Sequence, residues 1–244
     1  MPATPAWPLK SLPRLFVRQL LSTDVRVELD SGPANYLGNV LRLKAGDHVL
    51  LFDGASGEWL ATIAEVGKKR MMLLVGELTR PAEAVPDLWL AFAPVKRAPL
   101  EWLVEKATEL GVARLVPVVT GRTVVERLRL DRLQSIAIEA AEQCGRTVLP
   151  EIAEPVALAA FLKDNQRTLY FADETGGEAV STALQPGPAT ILIGPEGGFT
   201  PEERTAIRDV PEARPISLGP RILRAETAAL AAVTSYMALA GDWR

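Results

Sequence analysis

Histidine and cysteine are almost missing from this chain: each occurs once in 244 residues, as His48 and Cys144. A single cysteine excludes an internal disulfide and a cysteine-based zinc site, and it suits a reducing compartment. No window holds eighteen uninterrupted apolar residues, so no membrane-spanning helix is expected. The opening MPATPAWPLKSLPR carries four prolines and no continuous apolar core, which fits neither a signal peptide nor a membrane anchor. Charge of one sign is also lacking, since 27 Lys+Arg stand against 30 Asp+Glu for a net charge of −3. These absences lead to the expectation of a soluble, cytoplasmic protein with no metal and no membrane partner.

What the chain does have is apolar content, 48% hydrophobic, enough to bury a large core in one big domain or two. Two are expected. From Arg14 to Leu78 the text consists of short β-rich runs, RLFV, VRVEL, DHVLLFDG, EWLATIAEV and MMLLVGEL. Turn signals such as Ala45-Gly46-Asp47 and Asp53-Gly54 separate them, which reads as a small β-barrel. The proline-punctuated stretch RPAEAVPD, from Arg80 to Asp87, is the expected linker between a module of residues 1–80 and one of residues 81–244. The first holds 10 Lys+Arg against 8 Asp+Glu and the second 17 against 22, a mild asymmetry that by itself describes solvated surfaces.

After Asp87 strands alternate with helices. LWLAFA precedes PLEWLVEKATELG, where Leu100, Leu103, Val104 and Ala107 form one helical stripe opened by Pro99 and closed by Gly111. RLVPVV precedes DRLQSIAIEAAEQ, where Leu133, Ile136, Ala137 and Ala140 repeat the pattern. TLYFA, ATILIG and PISLG are further strands, and the last feeds an alanine-rich helix from about Ala225 to Ala240. Such alternation predicts an α/β fold with a mostly parallel sheet, whose ligands bind outside the carboxyl ends of the strands. The last helix is apolar nearly all round, which implies burial on two sides, one of them open to a subunit interface.

One stretch concentrates the functional question. ILIGPEGGFTPEE, Ile191 to Glu203, runs from a strand through three glycines into a helix start with Thr200 as N-cap and Pro201 at the first helical position. It contains neither G-x-x-x-x-G-K-[ST] nor G-x-G-x-x-G, and Glu196 stands where a phosphate would meet a carboxylate. That opposes an ATP- or dinucleotide-dependent enzyme. A second strand-to-loop turn, LGPRILRAET, again has a glycine that lets main chain approach a flat ligand. Adenine can pair with a peptide loop through its edge, and a carboxylate is tolerated beside a cationic sulfonium. The loops therefore suit S-adenosyl-L-methionine, while glycine turns of this kind also serve simple chain reversal and close packing.

IGPEGGFTPEE followed by SLGPRILRAETAALAA resembles the paired signature of the SPOUT superfamily of methyltransferases, specifically the ribosomal RNA small-subunit methyltransferase E family. KRAPLEWLVEKATELGVARLVPVVTGRTV, EAAEQCGRTVLPEI and NVLRLKAGDHVLLFDG resemble further segments of that family in the same order, so the likeness runs from Arg14 onward. One departure is visible: members often carry histidines just before VLR, where this chain has Asn35 and Tyr36 in ANYLGNVLR. The resemblance implies a PUA-like β-barrel that holds RNA, then a SPOUT-type α/β domain with a trefoil knot, a feature that general folding rules disfavour. It also implies a homodimer, with 16S ribosomal RNA or the small ribosomal subunit as partner, and methylation of N3 of one uridine. The alternative is a ribosome-binding assembly factor with the same fold and no methyl transfer.

Under that resemblance the cofactor-binding set is Phe171, Ala172, Ile193, Gly194, Pro195, Glu196, Gly197, Gly198, Leu218, Gly219, Ile222, Leu223 and Thr227. A neutral imide nitrogen is a poor nucleophile, so the N3 proton must leave or the resulting anion be stabilised. His48 lies in the β-rich module, where a partly buried structural role is expected. Catalysis then falls to Arg224, Arg221 and Glu196. Glu226 reads as a charge at the positive end of the last helix. Candidate RNA contacts are Lys68, Lys69, Arg70, Arg122 and Arg146, with Arg127, Arg129 and Arg132 as further basic positions. Lys106, Glu109 and Arg146 match family motifs and equally suit a structural ion-pair network.

Overall fold

The period-two runs of the N-terminal third fold into strands. The computed structural model describes residues 12–124 and 127–243, so most of the opening stretch read against a leader lies outside the described residues. Contacts divide the chain into two units, one running to Glu83 with Gly145–Val148 added, the other formed by Ala84–Cys144 and Leu149 onward. In the first, β1 (Arg14–Phe16), β2 (Arg26–Leu29), β3 (His48–Phe52), β4 (Glu58–Val66) and β5 (Met71–Arg80) make one sheet in the order β1-β3-β4-β5-β2. Only the β1–β3 pair is parallel. Inward residues Val49, Leu51, Ala61, Ile63, Leu73 and Val75 are each no more than 1% exposed, as alternation requires. Register shifts along β4–β5 mark bulges that bend the sheet around this core. The strand pattern missed one feature, a helical stretch made of α1 (Ser31–Asn35) and a π-helical turn (Tyr36–Val40) that buries Ala34 and Leu37.

The second unit is a parallel sheet between two helical layers. Its strands are β6 (Leu88–Phe92), β7 (Arg114–Val119), β8 (Glu151–Ile152), β9 (Val156–Ala157), β10 (Thr168–Ala172), β11 (Glu178–Ala179), β12 (Ala189–Ile193) and β13 (Ala213–Ser217). The order is β11-β13-β10-β12-β6-β7-β8, with β9 also on β7, and every pairing is parallel. The helices are α2 (Arg97–Glu109), α3 (Leu130–Cys144), α4 (Leu158–Asp164), α5 (Val180–Ala183), α6 (Pro201–Arg208) and α7 (Ala225–Leu239). Leu88, Leu90, Phe92, Tyr170, Ile191, Ile193 and Ile216 face the layer of α2, α3, α5 and α7. Ala91, Leu169, Phe171 and Leu192 face that of α4 and α6. Each such leucine, isoleucine or phenylalanine contributes about 1.5–3 kcal/mol by leaving water, which is why these strands are apolar on both faces.

The expected helices form where the stripes place them. Leu100, Leu103, Val104 and Ala107 of α2 are buried, and Gly111 closes the helix with φ of 91°. The chain runs from β12 through α6 to β13 on the far side of β10, and α7 then returns to pack on β12 and β6. In α7, Ala225, Ala228, Ala229, Ala232, Val233, Tyr236 and Met237 form one buried stripe, while Thr227, Thr234, Ala238 and Leu239 are exposed. Burial within this chain is thus on one side of α7, not two. Among the described residues no helix is long and apolar enough to cross a membrane.

One buried carboxylate organises the first unit. Glu58 on β4 has a side chain only 5% exposed and receives Arg14 of β1 at 2.6 Å and both nitrogens of an Arg80 fork at 2.9 Å. Arg14 also donates to the Arg146 carbonyl at 2.8 Å and Arg80 to the Gly145 carbonyl at 2.9 Å, which fastens Gly145–Val148 to the sheet. Burial pushes the Glu58 carboxyl up, but hydrogen bonds from Arg80 and Arg14 and their charges outweigh it and hold it below its ordinary 4.5. The stabilisation is therefore complete above that value and is lost as pH falls through the lower folded value. We expect Glu58→Gln to destabilise this unit by about 3–5 kcal/mol at neutral pH, because Arg14 loses its buried partner. Denaturant unfolding across pH checks this: the wild-type chain should lose stability below pH 4.5 in a step that the variant lacks.

Candidate active site

Because all strands of the second unit run the same way, their carboxyl ends share one edge. There the end of β10, Ala172 and Asp173, lies between the end of β12 on one side and the end of β13 on the other. The loop Gly194–Thr200 leaves β12 and the loop Leu218–Arg224 leaves β13, so the two flank β10 about 10 Å apart, two strand spacings. Strand hydrogen bonding continues to this edge, with Asp173 N–H donating to Ile216 at 3.2 Å and Ala93 N–H to Ile193 at 2.9 Å.

The first loop is a turn closed by Gly198 N–H on the Pro195 carbonyl at 2.8 Å. Gly198 has φ of 68°, and a Cβ there would stand 2.7 Å from a Glu174 carboxylate oxygen. A Cβ on Gly194 would meet the buried Phe199 ring at 3.0 Å. Both glycines are needed for close approach of backbone to its surroundings. Thr200 caps α6 as expected, in a full capping box with Glu203. Sequence reading missed what lies across from it: Gly121 N–H donates to Glu203 at 2.6 Å, and Arg122 donates to the carbonyls of Gly197 and Phe199. Arg122, expected on RNA, is engaged with the glycine loop.

The second loop is open. Gly219 has φ of 108° and no atom within 4 Å of its Cβ position, and Ile222 is 84% exposed. Among the described residues, no intramolecular hydrogen bond takes up the backbone N–H of Leu218, Ile222 or Leu223, although Leu218 and Leu223 pack on the core. Unused amides beside partly buried side chains are what a ligand edge satisfies. The first loop offers backbone amides and carbonyls beside the Glu196 carboxylate and no cation of its own, so it fits a flat heterocycle such as adenine better than a phosphate, while the second adds the exposed Arg221 and Arg224 to its backbone donors. Phe171 and Ile193 are buried in the sheet and offer only backbone here, Ala172 is partly buried, and Thr227 is exposed on the first turn of α7.

Charged groups around the first loop are paired. Asp173, whose side chain is 1% exposed, meets Arg208 at 2.7 Å and Arg204 at 3.7 Å, and Glu174 meets Arg204 at 2.9 Å. Burial raises the Asp173 carboxyl, but bonds from Arg208 and Thr175 and the charge of Arg204 hold it below the usual carboxylate range. Arg204 and Arg208, four apart on α6, bring both guanidinium groups to this cluster from one helix face. In contrast, Glu196, Arg221 and Arg224 are exposed and make no ion pair or side-chain hydrogen bond among the described residues. Glu226 stands in the first turn of α7.

The remaining basic candidates separate. Lys68 and Lys69 are exposed on the β4–β5 turn, and Arg70 pairs with Glu28 at 3.0 Å in solvent. Arg146 is buried, 3.5 Å from Glu83, and so belongs to the interior of the first unit. Lys106 pairs with Glu105 and Glu109, and Arg132 reaches Glu101. Arg127 and Arg129 flank a surface concavity of about 740 Å³ with Asp131 and Glu154, distinct from the glycine loops. His48 is exposed and shares a 3.1 Å hydrogen bond with Thr62, which corrects the expected partial burial. Among the described residues no group of three or more His, Cys, Asp and Glu has metal-binding geometry.

This arrangement has relatives. Residues 82–237 match the RNA methyltransferase domain and residues 30–73 the RNA methyltransferase PUA domain. The chain is 33% identical over 232 residues to the ribosomal RNA small subunit methyltransferase E of Rickettsia conorii, covering 93% of this chain and 95% of that one. A methyltransferase of Legionella pneumophila solved with S-adenosylmethionine bound superposes with a TM-score of 0.86 at 31% identity, covering 95% of this chain and 99% of that one. The methyltransferase E of Neisseria gonorrhoeae, also solved with S-adenosylmethionine, gives 0.87 at 28% identity over 96% and 100%. With both of its units matched and near full-length likeness on each side, the chain belongs to the ribosomal RNA small-subunit methyltransferase E family.

Proposed function

We propose that this protein transfers a methyl group from S-adenosylmethionine to N3 of one uridine in 16S ribosomal RNA. The observation that carries the reading is the pairing of two glycine turns on one sheet edge with three uncommitted charges, Glu196, Arg221 and Arg224, in a neighbourhood where other charges are engaged. Leu218, Ile222 and Leu223 offer backbone donors to the adenine edge, and Glu196 offers negative charge near a sulfonium. The cofactor supplies a methyl carbon already attached to an excellent leaving group. The protein then has two tasks, alignment and charge. Holding nucleophile and methyl group in line contributes roughly 7–11 kcal/mol. Loss of the N3 proton spreads negative charge onto O2 and O4 of the uracil, where the planar guanidinium of Arg224 can hold it, with Arg221 gripping the RNA beside it. The Lys68–Arg70 turn of the first unit adds phosphate contacts. A second copy of the chain covers the exposed face of α7, where Leu239 is 44% exposed beside α2 with its 44% exposed Trp102.

Mapping of methylated uridines tests the reaction itself. RNA from cells holding the protein should carry one N3-methyluridine in the small subunit that is absent without it, and an identical mark in both would favour the assembly-factor alternative. Cofactor binding is tested at Gly198: Val there is disfavoured at φ of 68° and clashes with Glu174. Calorimetry should show affinity for S-adenosylmethionine reduced by about 10–100-fold, with circular dichroism confirming the fold. Arg224→Ala and Arg224→Lys should both bind cofactor normally and lose about 10²–10³-fold in single-turnover methyl transfer. Full activity in the Lys variant would make Arg224 a phosphate grip.

A further inference from the structure

Gly197 and Gly198 share the one peptide link of the first loop that has glycine on both sides. With no Cβ at either end, this peptide plane turns over more easily than any other in the loop. Its carbonyl, that of Gly197, is held by the guanidinium of Arg122, which also reaches the Phe199 carbonyl at 3.4 Å. The aliphatic stem of Arg122 lies 3.4 Å from where a Gly197 Cβ would be, so the side chain packs along the turn as well as bonding to it. The preceding residue completes a brace. Gly121 N–H donates to one Glu203 oxygen at 2.6 Å, the other Glu203 oxygen accepts from Thr200 N–H at 2.9 Å, and Thr200 Oγ1 accepts from Glu203 N–H at 3.2 Å. Two consecutive residues of the loop after β7 thereby hold the glycine turn and the start of α6 together.

We propose that Arg122 is a positioning residue for the cofactor loop, which fixes the Gly197–Gly198 peptide in the orientation that binding uses. The inference rests on reading Gly194–Gly198 as that loop. It separates Arg122 from the phosphate-gripping arginines, because its Nη1 donates to two protein carbonyls.

The test compares wild type, Arg122→Ala and Arg122→Lys by three measurements. In the cofactor-free protein, amide hydrogen exchange at Gly197–Thr200 should accelerate in Arg122→Ala and stay unchanged in β12. Calorimetry should show about tenfold weaker S-adenosylmethionine binding in Arg122→Ala, the loss of charge-assisted hydrogen bonds, with partial recovery in Arg122→Lys, which keeps one donor direction. The slope of RNA affinity against salt should match wild type in both. Unchanged cofactor affinity together with a slope shallower by about one would make Arg122 a phosphate contact and overturn the proposal. Unchanged exchange at Gly197–Thr200 would overturn the brace. A wild-type chain that bound no S-adenosylmethionine would overturn the underlying reading, and the proposal with it.

Discussion

The parallel alignment of β12, β10 and β13 is the constraint on which the site depends. In a parallel sheet every strand ends on the same edge, and a crossover that skips one neighbour brings two loops distant in sequence to either side of a third strand. Here the skipped strand is β10, and the loops are Gly194–Thr200 and Leu218–Arg224. The alignment is itself held by burial on both faces: Ile191 and Ile193 pack toward α7 and α2, Leu192 toward α4 and α6. A register slip of one residue would exchange these faces and carry the loops with it.

Electrostatics then sorts the charged residues near that edge into two groups. Asp173, Glu174, Arg204 and Arg208 neutralise one another between the end of β10 and α6, and Glu203 is absorbed by backbone amides. Such pairs gain from mutual attraction what they lose in desolvation, so their net effect is geometric: they tie α6 to β10. Glu196, Arg221 and Arg224 stay uncommitted in solvent. A loop rich in glycine adds little conformational order of its own, and its shape comes from these neighbours.

Much of this was legible along the chain. The period-two runs located all five strands of the first unit, and the stripes at Leu100–Ala107 and Leu133–Ala140 located α2 and α3, because both patterns are local consequences of which face is buried. The cap at Thr200 was legible for the same reason, being made within four residues. The turn Ser31–Val40 was not, since its helix is too short for periodicity to accumulate. Nor were β8, β9 and β11, two residues each, which exist only because a longer strand offers them an edge. Arg122 and Arg146 looked alike in sequence, as basic residues in loops. One is bonded to backbone carbonyls seventy-five residues or more away and the other is buried against Glu83.

The sequence by itself determined the class of fold, the two strand-to-loop turns and the family to which they belong, because hydrophobic period, glycine placement and motif order are properties of neighbouring residues. Tertiary structure alone decided which charges are free. Pairing of Glu58 with Arg14 and Arg80, of Asp173 with Arg204 and Arg208, and of Arg122 with the glycine loop spans from about twenty to seventy-seven residues of chain. Coulomb attraction and hydrogen bonding act over a few ångströms of space regardless of that separation, so no local pattern records them.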